Sequence, residues 1–360
     1  MTIARRPLAS FGLVCLGVLL LAGCTATGPA SIARDRFDYV TSVSDSWKRQ
    51  MLLNLLKVRY TDAPVFMDIA SVINSYELAG DVNLFGQLAK VNAGDQIAGL
   101  GMTGRYADKP TITYQPLAGD KFTRSLMLPI PVPSILHLIQ SGVPADLVLR
   151  LCADSINGLT NSYGGQARLQ QGDSQFRELL MALKENQVAG GMGMRLKATT
   201  DKQAVVIFLR PSTDAAIAAN TGKIRELLGL NPAVREYSVV YGNYPENDAE
   251  IAILSRSILQ ILVDLASYID VPEADLAEGR VYSPQRTAEQ EKMFPPLINV
   301  RCGPKAPADA HVAVNYRHQW FWIDDRDRQS KQMFNFMMFM FSLTEAGPVQ
   351  AAPIMTVPAR

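Results

Sequence analysis

A run of strand-like segments with glycine-containing turns lies between residues 65 and 114, and it constrains the fold more than any other part of the chain. The tripeptide Ala-Gly-Asp occurs at residues 79–81, 93–95 and 118–120. Glycine tolerates positive φ and aspartate bonds to its own backbone, so both are typical of turns. The predicted strands are residues 65–78, 82–91, 96–106 and 111–114. The pattern therefore predicts an antiparallel β meander of four strands.

Helical and extended patterns alternate through the rest of the chain, which predicts an α+β fold with amphipathic helices. Trp47, Met51, Leu55 and Val58 fall on one face of a predicted helix over residues 42–60. The glycine-rich stretch 157–173 predicts a boundary between an N-terminal part, 34–165, and a C-terminal part, 166–360.

The C-terminal part contains its own series of predicted elements. They are a strand pair at 192–199 and 204–209, a helix at 214–228 closed by Gly229, a strand at 236–241, a long helix at 248–269, a hairpin of 312–316 with 320–323, and a last helix at 328–343. Arg256 and Asp264 lie on the polar stripe of the predicted long helix. We expect that helix to be a core element.

The N-terminus has the features of a secretory signal. Arg5 and Arg6 supply positive charge, and residues 11–21 form an apolar segment too short to cross a membrane. Two small residues, Ala22 and Gly23, then stand directly before Cys24. Either the signal ends at a modified cysteine, or it is an ordinary secretory signal with an incidental cysteine.

Residues 21–24, Leu-Ala-Gly-Cys, resemble the lipobox of bacterial lipoproteins. The resemblance implies that the Cys24 thiol is diacylated, that residues 1–23 are removed and that membrane lipid is a partner. In a Gram-negative cell, Thr25 directly after the acylated cysteine also implies export to the outer membrane, with the body of the protein in the periplasm. Residues 24–33 are predicted to be a short lipidated tether that holds the body close to the bilayer.

Two segments of the body, residues 50–60 and 321–327, resemble bacterial envelope lipoproteins of unknown activity. This resemblance implies a location in the cell envelope. It implies no activity, cofactor or catalytic residue, and none is predicted here.

Composition and charge limit the classes of partner. Of the 360 residues, 48% are hydrophobic and 19% are charged, which is typical of a folded protein. The formal net charge of +1 becomes −1 once Arg5 and Arg6 leave with the signal. Because no concentrated basic face is evident, a nucleic-acid partner is not expected. The mature sequence also contains no uninterrupted apolar run of membrane-spanning length, so no transmembrane helix is predicted.

After processing, two cysteines remain besides the acylated one. Cys152 and Cys302 would lie in a compartment that permits disulfides. They either form a disulfide or are two separate buried thiols.

Two further groups of residues could carry a function. Asp324, Asp325 and Asp327 could hold a divalent cation, although helix capping and local ion pairing explain the same residues. In the last helix, the apolar residues include the candidate interaction residues Phe336, Phe339 and Met340, for which core burial is the alternative.

The three histidines are expected not to converge on a metal. They are His137, His311 and His318, and none of them forms a closely spaced pair. No metal site is predicted from them.

These observations favour a lipid-anchored envelope protein that acts by binding or scaffolding, with an envelope protein or a second copy of itself as partner. One alternative is an oligomeric lipoprotein channel for export or assembly, whose wall would be the meander at 65–114. A second alternative is a periplasmic hydrolase acting on envelope substrates, which would use the region of Asp324–Asp327 or a catalytic triad scattered through the chain. The sequence favours a non-catalytic role because it contains no recognisable catalytic motif.

Overall fold

The chain folds into helices and several β-sheets, and the fold is α+β. The computed structural model describes residues 29–73, 76–86, 98–108, 111–165, 169–198, 203–282 and 286–344. Two compact units are present. One comprises Met1–Pro64 and Ser125–Arg360, and the other is Val65–Arg124.

The first helix is longer than its amphipathic pattern predicts. Helix α1 (Pro29–Arg59) begins well before Ser42, so residues 29–33 of the predicted tether are helical. Proline is well suited to the first position of a helix because its missing N–H would have no partner there. The predicted apolar face is the buried one near the C-terminal end, where Met51, Leu52, Leu55 and Leu56 are almost fully buried.

The antiparallel strands predicted between residues 65 and 114 are confirmed, and they form two strand pairs with a continuous register. Strand β1 (Met67–Ile73) forms antiparallel pairs with β4 (Thr111–Pro116), and β2 (Tyr76–Gly86) with β3 (Ala98–Asp108). Ile73 is opposite Thr111 and, three residues further along each strand, Tyr76 is opposite Asp108. We call β1–β4 the ribbon. Its first strand pairs with its last, and its second strand pairs with its third.

One predicted turn of the meander is wrong. Residues 79–81 lie inside β2, where Gly80 is opposite Gly104 of β3. The pairing with β3 keeps this segment extended, and it overrides the local preference of glycine and aspartate for turns. Residues 93–95 lie outside the described residues. At the third tripeptide the chain does turn, since Gly119 has a φ of 61°.

After the ribbon the chain enters the larger unit through short helices. These are α2 (Gly119–Phe122), a π-helical turn (Thr123–Met127), α3 (Val132–Gln140) and α4 (Ala145–Cys152). The next elements are β5 (Ala153–Ile156), β6 (Leu159–Thr160), β7 (Tyr163–Gly164), β8 (Leu169–Gln170) and α5 (Ser174–Val188).

A six-stranded mixed sheet forms the centre of this unit. Its later elements are β9 (Met192–Ala198), β10 (Gln203–Leu209), α6 (Ala215–Leu228), β11 (Glu236–Tyr241) and β12 (Glu250–Ser255). The strand order is β6-β5-β12-β11-β10-β9, in which only β11 and β12 are parallel. The sheet therefore takes strands from both sides of the boundary expected at residue 165.

The predicted long helix at 248–269 is wrong. Its first half is the strand β12, and only the second half is helical, as α7 (Ile258–Ala266). The change occurs at Ser257, whose hydroxyl accepts a hydrogen bond from the Gln260 backbone N–H while the Gln260 side chain accepts one from the Ser257 N–H. This reciprocal cap starts the helix there.

The C-terminal region packs a three-stranded sheet with a long helix. Its elements are α8 (Glu273–Ala277), α9 (Ala288–Met293), β13 (Arg301–Gly303), β14 (Ala310–Tyr316), β15 (Gln319–Asp324) and α10 (Arg328–Thr344). The predicted hairpin and last helix are confirmed. In the part of the chain that is described, no helix has the length and apolar character needed to cross a membrane.

Candidate functional site

The ribbon has one apolar face and one polar face. In an antiparallel pair, opposite positions lie on the same face and successive positions alternate. Leu78 is opposite Tyr106, Val82 opposite Met102, and Leu84 opposite Leu100. Even-numbered positions of β2 and β3 therefore share an apolar face.

The other face carries most of the charge. Glu77, Asp81 and Arg105 occupy odd-numbered positions, and the fourth charged residue of these two strands, Asp108, is at the end of β3. With eleven residues in each strand, β2 and β3 match the length of a strand that crosses a bilayer. The strand predicted at residues 82–91 overlaps only the second half of β2, so the alternation along β2 is not evident from the predicted boundaries.

The ribbon also has unpaired edges, and three apolar side chains of β1 and β4 are exposed. Both of its sheets are two-stranded, so within the described residues the outer edge of each strand lacks a partner strand. In the pair of β1 with β4, the side chains of Met67, Ile112 and Tyr114 are about half exposed, and the register places these residues on one face. A two-stranded ribbon is marginally stable in water, and open edges favour pairing with another strand.

A second candidate site is built around a fully buried arginine in the larger unit. Arg256 lies between the end of β12 and the start of α7. Its backbone is fixed on both sides, because its N–H donates to the Cys152 carbonyl and its carbonyl accepts from the Ile130 N–H. These bonds direct the side chain into the interior, where it is 0% exposed.

Two buried aspartates neutralise Arg256. Its Nη1 lies 3.2 Å from Asp264 Oδ2, and its Nε lies 3.6 Å from Asp154 Oδ1. The second distance exceeds a hydrogen bond, so that attraction is electrostatic. Nη2 donates to the Ser162 carbonyl at 2.7 Å, and the guanidinium lies over the Tyr163 ring.

Three more arginines contact residues 267–269, at the end of α7 and just after it, and we call Arg59, Arg150, Arg256 and Arg286 the arginine cluster. Arg150 donates to Asn161 and to the Tyr268 hydroxyl, and its guanidinium lies over the Phe294 ring. Arg286 donates to Ser267 and lies over the Tyr268 ring at 4.0 Å.

Arg59, on α1, donates to the carbonyls of Ile269 and Tyr282. Among the described residues, no carboxylate pairs with Arg59, Arg150 or Arg286.

A cavity of about 450 Å³ opens beside the cluster. Arg59, Asp154, Gln260 and Ser267 supply polar groups to its wall, and Val263 is among the apolar residues. Its volume lies in the range of small-molecule sites.

Gly164, on the cavity wall, allows Arg286 and Ser267 to approach its backbone closely. Its N–H donates to Asp264 Oδ1 at 2.8 Å. A Cβ at this position would lie 2.0 Å from Arg286 Nη2 and 2.2 Å from Ser267 Oγ. Only glycine therefore allows the guanidinium and the hydroxyl to approach the backbone this closely.

The two remaining cysteines are free. Cys152 is completely buried at the end of α4, and Cys302 is half-buried on β13. The disulfide is therefore absent, and the alternative of separate thiols holds. Burial raises the pKa of Cys152 to about 12, which makes its thiol unreactive. Cys24 and Thr25 lie outside the described residues.

The three apolar interaction candidates of α10 differ in exposure. Met340 is 1% exposed and is therefore a core residue, Phe336 is partly buried, and Phe339 is 50% exposed. Of the interaction surface predicted from these residues, Phe339 is the most accessible side chain.

The aspartates before α10 make local contacts. Asp327 accepts hydrogen bonds from the Ser330 backbone and hydroxyl, as a helix cap does. Asp325 pairs with Lys331 at 2.6 Å.

Among the described residues, no group of three His, Cys, Asp or Glu side chains could hold a metal ion. Comparison with protein-family models, curated proteins and solved structures finds no match for this chain.

Local sequence patterns do not predict the arginine cluster. They place Arg256 and Asp264 on the polar stripe of one helix, whereas Asp154, Arg59 and Gly164 come from distant segments. A charged residue within the apolar run 251–265 was the available signal, because a charge there needs a buried partner.

Proposed function

We propose that this protein is a lipid-anchored component of the cell envelope that acts by assembling with copies of itself, with the ribbon as the assembling surface. The observation that carries the proposal is the register of β2 and β3, which pairs eleven residues of each strand and places most of their large apolar residues on one face, with Phe85 on the other. Alternation over this length suits a sheet with lipid on one side and water on the other.

Two physical needs of the ribbon support this function. Its open edges require partner strands, and the edge of an identical ribbon offers matching backbone donors and acceptors. Its apolar face requires cover, which a bilayer supplies to a protein held beside it by acyl chains. Several copies could then form a continuous wall, as the channel alternative requires. A scaffold without a pore would need the edge pairing alone.

The lipid anchor is the second element of the proposal. Acylation of Cys24 would keep the ribbon close to the membrane and raise the local concentration of copies. Mass spectrometry of the mature N-terminus tests it. We expect acyl chains on residue 24 of the wild-type protein and none in Cys24→Ala, and an unmodified wild-type N-terminus would contradict the proposal.

The test of the ribbon uses two neighbouring positions on opposite faces. Leu84→Arg places a charge on the apolar face, and the matched control Asn83→Arg places the same charge on the polar face. A charge on a lipid-facing strand position costs about 2–4 kcal/mol at the bilayer centre. In liposome flotation, we expect Leu84→Arg to reduce binding in a Cys24→Ala background and Asn83→Arg to have little effect. Equal behaviour of the two variants would contradict the proposal.

A hydrolase that uses Asp324, Asp325 and Asp327 has less support. Hydrogen bonds and ion pairs within the larger unit occupy these carboxylates. Capping and local pairing account for their arrangement without a substrate.

A further inference from the structure

Arg59 is a buried cation on the wall of a cavity. Its side chain is 7% exposed, and its hydrogen-bond partners are the backbone carbonyls of Ile269 and Tyr282. Carbonyl oxygens satisfy N–H groups but do not neutralise the charge. A buried charge without a counter-charge is costly, so an anion at this position would stabilise the protein.

A second cation increases this electrostatic need. Arg286 donates to the Ser267 hydroxyl, and Ser267 lines the same cavity as Arg59. Burial lowers the pKa of Arg59, Tyr60 acts in the opposite direction, and the positive charge of Arg286 lowers the pKa again. Each of the two guanidinium groups thus raises the electrostatic cost of the other. In the described chain neither has a carboxylate partner.

Arg256 provides the contrast within the same cluster. It is more completely buried than Arg59, and two carboxylates, Asp154 and Asp264, lie within 3.6 Å of its guanidinium. The fold therefore supplies both acids to one arginine of the cluster, and the four arginines with two aspartates retain excess positive charge, although Asp154 itself also lines the cavity.

We propose that the cavity beside Arg59 binds a small molecule through an oxyanion group, either a carboxylate or a phosphate. Guanidinium groups match both groups in geometry and charge. The volume of about 450 Å³ leaves room for more than the anionic group, and Val58, Val263 and Ala266 offer apolar contact to the remainder. This binding is independent of assembly through the ribbon.

The test is calorimetric titration of the full chain in mild detergent at constant ionic strength. The probes are inorganic phosphate, acetate and glycerol 3-phosphate, with chloride as the reference anion. We expect saturable binding of at least one probe. Tighter binding of glycerol 3-phosphate than of phosphate would indicate a lipid headgroup or another phosphate ester, and equal affinities would indicate the free anion. Absence of binding for all three probes would overturn the proposal.

Two variants assign the binding to the cavity. Arg59→Gln and Arg286→Gln each remove one cation, and each should weaken binding at least about tenfold. The matched control, Lys223→Gln, removes an exposed cation paired with Glu178 and should leave the affinity unchanged. Circular dichroism checks folding. If Arg59→Gln does not fold, the half-buried Arg286 decides the result. Unchanged affinity in folded Arg286→Gln would overturn the assignment.

Discussion

Arg256 and Asp264 form an ion pair of 3.2 Å in which both side chains are completely buried. The two residues are eight positions apart, one before α7 and the other within it. The pair also connects β7 to α7, because the second oxygen of Asp264 accepts the Gly164 N–H. A single carboxylate thus holds a strand, a helix and the arginine cluster together.

Removing the charge of Asp264 should be strongly destabilising. Asp264→Asn leaves Arg256 buried with Asp154 as its remaining carboxylate partner. Breaking a buried ion pair from one side costs about 3–5 kcal/mol. Urea unfolding measures the loss. The control Glu178→Gln breaks the exposed pair with Lys223 and should change the free energy of unfolding by less than about 1 kcal/mol. Similar losses for both variants would contradict the role of burial.

Gly164→Ala should disrupt the contact between the backbone and the arginine cluster. The added methyl group would lie 2.0 Å from Arg286 Nη2, so the guanidinium must move. We expect a lower melting temperature. The control is Gly222→Ala in the middle of α6, where a Cβ has no atom within 4 Å. Alanine favours the helix there, and we expect stabilisation by about 0.5–1 kcal/mol. A neutral Gly164→Ala variant would contradict the geometry.

Acid should weaken the contact between the end of α1 and the β14–β15 hairpin. The Tyr316 hydroxyl and Arg317 bind Asp62 and hold its pKa below the ordinary 3.8, although burial acts in the opposite direction. A lowered pKa means that Asp62 stabilises the fold above pH 3.8 and that this contribution is lost as the pH falls through its folded value.

Asp62→Asn tests this dependence. The difference in the free energy of unfolding between wild type and variant should be present at neutral pH and vanish well below pH 3.8. A difference that persists unchanged in acid would show that the Asp62 charge is not responsible.

Two phenylalanines of α10 should respond differently to truncation. Phe334 is fully buried, and Phe334→Ala should cost about 3–5 kcal/mol. Phe339 is half exposed, so Phe339→Ala should change the stability of the isolated chain far less. Denaturant unfolding compares them. A large loss for Phe339→Ala would mean that this side chain is covered, as in a self-associated form.

Local signals predicted several elements well. Helix α6 begins after Asp214, which accepts hydrogen bonds from the Ala216 and Ile217 backbone, and it ends at Gly229 with a φ of 64°. The pair β9–β10 and the helix α10 were also evident from their patterns. In each case the decisive contacts lie within the element or between neighbours in sequence.

Elements that depend on distant contacts could not be predicted in this way. An apolar run such as Ile251, Ala252 and Ile253 is compatible with either a buried strand or a helix. It forms a strand because it pairs with β11. The alternation of β2 became visible only with its register against β3. The arginine cluster likewise gathers residues from segments more than 200 positions apart, which no local pattern indicates.

The mass of the full acylated chain in mild detergent, measured by light scattering, tests the central claim most directly. If the ribbon joins copies of this protein edge to edge, the particle contains several chains. A particle with the mass of one chain, at concentrations where the wild-type protein is folded, would contradict assembly through the ribbon.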